Sequence, residues 1–208
     1  MKKRPAILMA VMAGLTLHAQ AAQPGYMQFK RQKYCGWRGQ SDVDLMIRGC
    51  LDALNTGMLS GNDVSGAWTD IGYAYRSKRD NEHALDAFNH AIAANPNEWQ
   101  AYVNRGGVYS DADKPDLAKA DLDMAVQLAP DVATAWRARG EFEYAHGQLD
   151  SAVADYGKAI ALDPDDARNY GRRAKAYETQ GKTDLAAADR VMLKKLDPDN
   201  KYGLMPTQ

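Results

Sequence analysis

The sequence predicts an all-α chain built from one helix pair repeated in tandem, and three observations predict it. Pro96, Pro130, Pro164 and Pro198 recur every 34 residues, as do Trp68, Tyr102, Trp136 and Tyr170, and Ala84, Ala118, Ala152 and Ala186. Within a unit the apolar positions follow helical spacing: Trp68, Ile71, Gly72 and Tyr75 fall at i, i+3, i+4 and i+7, and Ala84, Ala87, Phe88, Ala91 and Ile92 mark a second helix. A polar stretch, Ser77-Lys78-Arg79-Asp80 in the first unit, separates the two helices. Four coincident periods of this length are the mark of a repeat architecture.

In chain order, Lys2, Lys3 and Arg4 precede twelve apolar residues, Ala6 to Leu17, and then Ala19-Gln20-Ala21. A basic start, a short apolar run and small residues at −3 and −1 form the pattern of a cleavable signal peptide over residues 1–21. Twelve apolar residues are too few for the roughly twenty of a spanning helix. Its removal takes away three basic residues and no acidic ones, leaving a mildly acidic exported chain, periplasmic or secreted, without stable membrane insertion.

Residues 22–64 lack the full repeat pattern but hold both cysteines, Cys35 and Cys50. In an oxidising compartment an isolated pair is most simply a structural disulfide, and a loop of this size contributes about 3 kcal/mol. A redox-active pair is the other reading, but it lacks the C-x-x-C spacing. Asp42 to Thr56 keeps helical spacing in Leu45, Ile47, Cys50, Leu51 and Leu54, an expected capping helix over the first repeat. Gly57 to Asp63 reads as a loop, with Asp63 the candidate N-cap of the next helix. The basic-aromatic stretch Phe29 to Arg38 is too short a run to argue for nucleic acid or anionic lipid.

The units then run 65–98, 99–132, 133–166 and 167–200, with a tail at 201–208. Gly72, Gly106 and Gly140, with Ala174 in the fourth copy, keep the same period, as do Phe88, Leu122, Tyr156 and then Arg190; small residues let the paired helices approach closely while large side chains fill the gaps between them. Each proline closes a unit because it lacks the amide donor and holds the preceding residue extended. The acidic turns at Asp163-Pro164-Asp165-Asp166 and Asp197-Pro198-Asp199-Asn200 suit helix N-termini better than calcium. Tyr75, Tyr109 and Tyr177 line up, with Glu143 interrupting.

This pattern of an aromatic, a small residue, Tyr, Ala, a second aromatic, Ala and Pro at fixed offsets resembles the tetratricopeptide repeat family over Ser65 to Asn200. The resemblance implies an α-solenoid of stacked antiparallel helix pairs whose concave face holds a peptide or another protein. It places groove side chains on the first helix of each unit. These are Thr69, Asp70, Tyr73 and Arg76, then Val103, Asn104, Gly107 and Asp111, then Arg137, Glu141 and Tyr144, and last Arg168, Arg172 and Lys175. The family's clamp for a terminal carboxylate uses Lys and Asn at set places, and here that set is incomplete. The arginines and lysine of the last half point to an acidic or carboxylate-ended segment as ligand.

One departure carries its own inference. Where the family favours Leu, the chain has Ile71, then Arg105, Arg139 and Arg173; sixteen residues on stand Ala87, Asp121, Asp155 and Asp189. Apolar goes with apolar and arginine with aspartate, so each Arg is expected to pair with the Asp of its own unit. The competing reading is an arginine ladder for an anionic ligand. In the fourth unit, Arg190 and Leu193 replace a ring and an alanine, and polar character suits a terminal repeat with no following neighbour.

The rest narrows function by exclusion. Of 208 residues, 26 are basic and 27 acidic, a balance without the electrostatic footprint of a nucleic-acid binder. No nucleophile elbow, phosphate-binding glycine loop or H-E-x-x-H occurs, and His83, His90 and His146 are not spaced as metal ligands. No cofactor, no metal and no catalysis are expected. The expected function is a non-catalytic adaptor, with a self-associating structural module as runner-up and a redox or hydrolytic enzyme as a remote third.

Overall fold

A computed structural model describes Cys35, residues 42–57 and residues 59–205. The signal-peptide pattern and all of Phe29 to Arg38 except Cys35 lie outside the described residues. Among the described residues there are nine helices and no strand: α1 (Val43–Asn55), α2 (Gly61–Ser77), α3 (Asn81–Ala94), α4 (Trp99–Asp111), α5 (Pro115–Leu128), α6 (Ala133–Ala145), α7 (Leu149–Leu162), α8 (Ala167–Thr179) and α9 (Thr183–Leu196). They fall into two compact units, Met1–Glu98 and Trp99–Gln208.

In the first unit, Asp42 caps α1 by accepting from the amides of Asp44 and Leu45 at 3.0 and 3.1 Å, which satisfies donors that have no partner within the helix. The buried face of α1, Met46, Ile47 and Cys50, lies in one core with Ala67, Ile71, Ala74 and Ala87 of the α2–α3 pair. Cys35 is bonded to Cys50, and both are buried. A Cβ at Gly72 would come within 2.5 Å of the Phe88 ring, so the ring's depth in the pair depends on glycine opposite it. The expected loop before α2 is shorter than the sequence suggested. Ser60, not Asp63, is the N-cap, and Asp63 already lies in the first helical turn. The amides of Asp63 and Val64 both reach Ser60 O, at 2.7 and 2.9 Å, and an acid inside the first turn is as favourable as one at the cap.

The second unit stacks three pairs: α4 with α5, α6 with α7, and α8 with α9. First helices of successive pairs touch one another, α4 with α6 and α6 with α8, whereas the second helices stand apart. Within this unit the first-helix side is therefore the tighter, inner side. Ala118 and Ala152 are fully buried, and Ala186 nearly so, which lets paired helices approach closely.

Every pair turns in the same way. The residues at 79, 113, 147 and 181 take positive φ (Arg79 62°, Asp113 55°, Gly147 73°, Gly181 73°). The amide one residue later donates back to the carbonyl of Tyr75, Tyr109, Glu143 or Tyr177 at 2.9–3.0 Å. This is the left-handed helix stop that satisfies orphan carbonyls. After the second helices, Asn95, Ala129, Asp163 and Asp197 leave helical geometry, with φ between −133° and −144°, as a following proline requires.

The fourth pair is not left open as a terminal polar face. Residues 201–205 fold back over it: Leu204 and Met205 pack on the cluster of Ala167, Tyr170 and Leu193. Arg190 donates to Leu204 O at 2.8 Å and to both oxygens of Glu178 at 2.7 and 2.9 Å. Leu204 stands 34 residues after Tyr170, so this tail follows the register of a further first helix. That spacing is the signal that reveals it.

Candidate interaction face

The three Arg–Asp positions meet inside their own pairs. Arg105 Nε and Nη2 donate to Asp121 at 2.8 Å each. Arg139 reaches Asp155 at 2.7 and 2.9 Å, and Arg173 reaches Asp189 at 2.8 and 2.7 Å. The forked guanidinium matches the carboxylate at two points and fixes the rotation of one helix against the other. Aromatic rings lie against the cations: Tyr102 and Tyr109 beside Arg105, Trp136 beside Arg139, and Tyr177 beside Arg173. These arginines are structural members of the pairs.

Arg139 carries more than its share of acid. Besides Asp155 it donates to Asp123 at 3.0 Å, and Glu143 stands 4.0 Å from its Nε. Glu143 is buried, and its Oε2 has no hydrogen-bond partner among the described residues. Burial, and then the Asp155 charge, push the Glu143 carboxyl up to about 7, against the pull of Arg139.

The groove positions separate clearly by unit. In the first unit Thr69 is buried and donates its hydroxyl to Ser65 O at 3.0 Å, so it is not offered at the surface. Asp70 is half-buried, with Oδ2 3.9 Å from Cys35 Sγ. Arg76 is half-buried and Tyr73 exposed. A depression of about 440 Å³ lies between α1 and α2, but the Lys78–Asp44 ion pair closes across it at 2.6 Å. In the second unit Asn104 bonds Gln100 O of its own helix at 2.8 Å, and Asp111 is exposed at the end of α4.

The remaining six candidates, Arg137, Glu141 and Tyr144 on α6 and Arg168, Arg172 and Lys175 on α8, come together along the α6–α8 seam. Arg168 Nε and Nη2 hold Asp166 at 2.8 and 2.7 Å, and Arg137 Nη1 reaches the same carboxylate at 2.7 Å and Asn169 Oδ1 at 3.3 Å. Glu141 follows, 4.0 Å from Arg137 and 3.1 Å from Arg172. The Lys175 ammonium then lies over the Tyr144 ring, whose hydroxyl meets Thr179 at 3.1 Å. Charges alternate along the seam, Arg168, Asp166, Arg137, Glu141, Arg172, with cations at both ends.

Burial and the Arg168 charge pull the Arg137 pKa down, whereas the two arginines hold the Asp166 carboxyl below its ordinary value even though burial opposes them. Asp166 also caps α8, accepting from the Arg168 amide at 3.0 Å. In the sequence its part in the seam is signalled only by an aspartate beside a first-helix arginine, Asp166 before Arg168.

His83 bonds Asp80, His90 stacks on Trp68, and His146 bonds Phe142 O. Among the described residues one trio of metal-ligand type comes together, Cys35, Cys50 and Asp70, and its two sulfurs are bonded to each other. Among the same residues, no helix is long and apolar enough to cross a membrane.

Comparison with known proteins gives a consistent family. Models described as tetratricopeptide repeats match residues 65–98 and 100–132, and another described as a TPR repeat matches residues 140–181, together more than half of the chain. No curated protein sequence matches it. Among solved structures it is similar to MamA from Desulfovibrio magneticus RS-1 (19% identity, 84% of this chain and 97% of that one, TM-score 0.64). It is similar to YrrB, a TPR protein with an unusual peptide-binding site (17% identity, 92% and 94%, TM-score 0.60). The first TPR of Spaghetti (RPAP3), bound to an HSP90 peptide, matches at 21% identity, 59% and 99%, TM-score 0.55. At these identities the likeness is one of fold.

Proposed function

Because this chain belongs to the tetratricopeptide repeat family, we propose that it is a non-catalytic adaptor that captures a segment of another protein on the first-helix face of its second unit. The observation that carries the reading is the α6–α8 seam. Arg168 and Arg172 are about two-fifths exposed, yet Asp166 and Glu141 hold each guanidinium in place. A receptor surface orders its charged groups before the ligand arrives, which lowers the entropy cost of binding. Three cations on α8 against Asp166 and Glu141 leave the seam net positive, which favours an acidic or carboxylate-ended ligand.

The signal-peptide pattern of residues 1–21 and the Cys35–Cys50 disulfide fit work in the periplasm or outside the cell. YrrB and the Spaghetti repeat bound to a peptide show that this fold supports such binding in other proteins. The test is capture of partner protein from an envelope extract by wild type and by R168E/R172E. Capture by wild type and its loss in a folded variant support the reading; equal capture by both excludes this face.

A further inference from the structure

We infer that the α6–α8 seam reads an extended acidic segment whose carboxylates stand at alternate positions, acid-x-acid, with one seated on Arg168 and the next on Arg172. This rests on the seam being the capture face.

The argument is one of spacing and of donor arithmetic. Arg168, Arg172 and Lys175 lie at i, i+4 and i+7 of α8, on one side of the helix. Along the axis Arg168 and Arg172 are separated by about 6 Å. In an extended chain, side chains on the same side recur every two residues, about 6.7 Å apart. Adjacent acids would point to opposite sides, and acids three apart would do the same at a longer spacing.

The guanidiniums keep donors for such a ligand. Arg168 uses Nε and Nη2 on Asp166, and Arg172 uses Nε on Glu141; each guanidinium has five N–H donors in a fixed fork. Asp166 and Glu141 thus act as positioning residues that orient the two forks without exhausting them. Aromatic surface borders the seam at both ends, Tyr202 under Arg168 and Tyr144 under Lys175. These rings suit uncharged side chains flanking the two acids.

The experiment is fluorescence anisotropy of the mature protein with three labelled peptides of equal length and charge, Gly/Ser-rich and carrying Asp-Gly-Asp, Asp-Asp-Gly or Asp-Gly-Gly-Asp. Asp-Gly-Asp is expected to bind about tenfold more tightly than the other two, the worth of one well-placed charged hydrogen bond. R168Q is expected to remove that preference, while K195Q, at the exposed end of α9, keeps it. Equal binding of all three peptides overturns the spacing inference but leaves an acidic capture face standing. Binding of none overturns both. Should R168Q unfold, R168K serves instead, since it keeps the charge but loses the fork.

Discussion

At the residue scale, the Arg–Asp pairs show why a polar group in a core is retained without being a large source of stability. Taking a charge pair out of water costs nearly as much as its attraction returns, but breaking the pair strands a buried charge. Arg105 and Asp121 are both largely buried. D121A alone is therefore expected to destabilise the chain by about 3 kcal/mol. The double variant R105I/D121A, which copies the Ile71 and Ala87 of the first pair, should recover most of that loss. Urea denaturation of the three proteins checks both statements.

Glu143 makes a separate prediction. Its carboxyl is raised from an ordinary 4.5 to about 7. Between those values the folded chain holds a proton that the unfolded chain has released. The contribution is full below about pH 4.5 and lost as pH rises through 7. Relative to E143Q, wild-type stability should fall from pH 5 to pH 8. E143Y, which restores the ring of the other units, should be the more stable protein at pH 8, by about 1–2 kcal/mol. Parallel pH profiles would contradict the assignment.

The pairings inside a unit were legible because both members change together from copy to copy, leaving a recurring sixteen-residue offset. The seam was not. Arg137 of α6 meets Asp166, the cap of α8, and Arg172 of α8 meets Glu141 of α6, and neither pairing recurs at the matching positions of the other copies. Thr69 shows the opposite failure: a family position names a place in the groove, but Ser65 O in the preceding turn takes its hydroxyl. Glu143 was visible only as a break in the tyrosine series, since sequence does not say which oxygen will lack a partner.

At the element scale the helix pairs depend on their turns. Two of the four left-handed positions hold glycine and two hold Arg79 and Asp113. A side chain there is strained by about 1 kcal/mol. R79G and D113G are each expected to stabilise by about 0.5–1 kcal/mol, and G147A to destabilise by a similar amount, read as shifts in thermal midpoint. The sequence marked these stretches as polar turns, while the conserved geometry across unlike residues needed the backbone. The same limit explains the misplaced start of α2: Asp63 is a good cap by type, but Gly61 and Asn62 enter the helix first.

At the scale of the whole molecule, a repeat architecture limits how far a local change spreads, because each pair is stabilised chiefly by its neighbours. Reducing the Cys35–Cys50 bond should cost about 3 kcal/mol and raise amide exchange in α1 and α2, with α7 to α9 unchanged. The all-α repeat was legible almost entirely from the 34-residue period. The packing of residues 201–205 on the fourth pair was not legible, because that stretch supplies one ring-position residue, Leu204, without the helical spacing that marks the other copies.

The central claim is that another polypeptide is held on the first-helix face of the second unit. Its most direct test is a photo-reactive residue placed at Lys175 on α8 or, as control, at the exposed Met124 on α5, followed by irradiation in the exporting cell. Discrete cross-linked products from position 175, lost in R168E/R172E and absent from position 124, are the predicted result. Products from position 124 alone, or the same products from both positions, would contradict it.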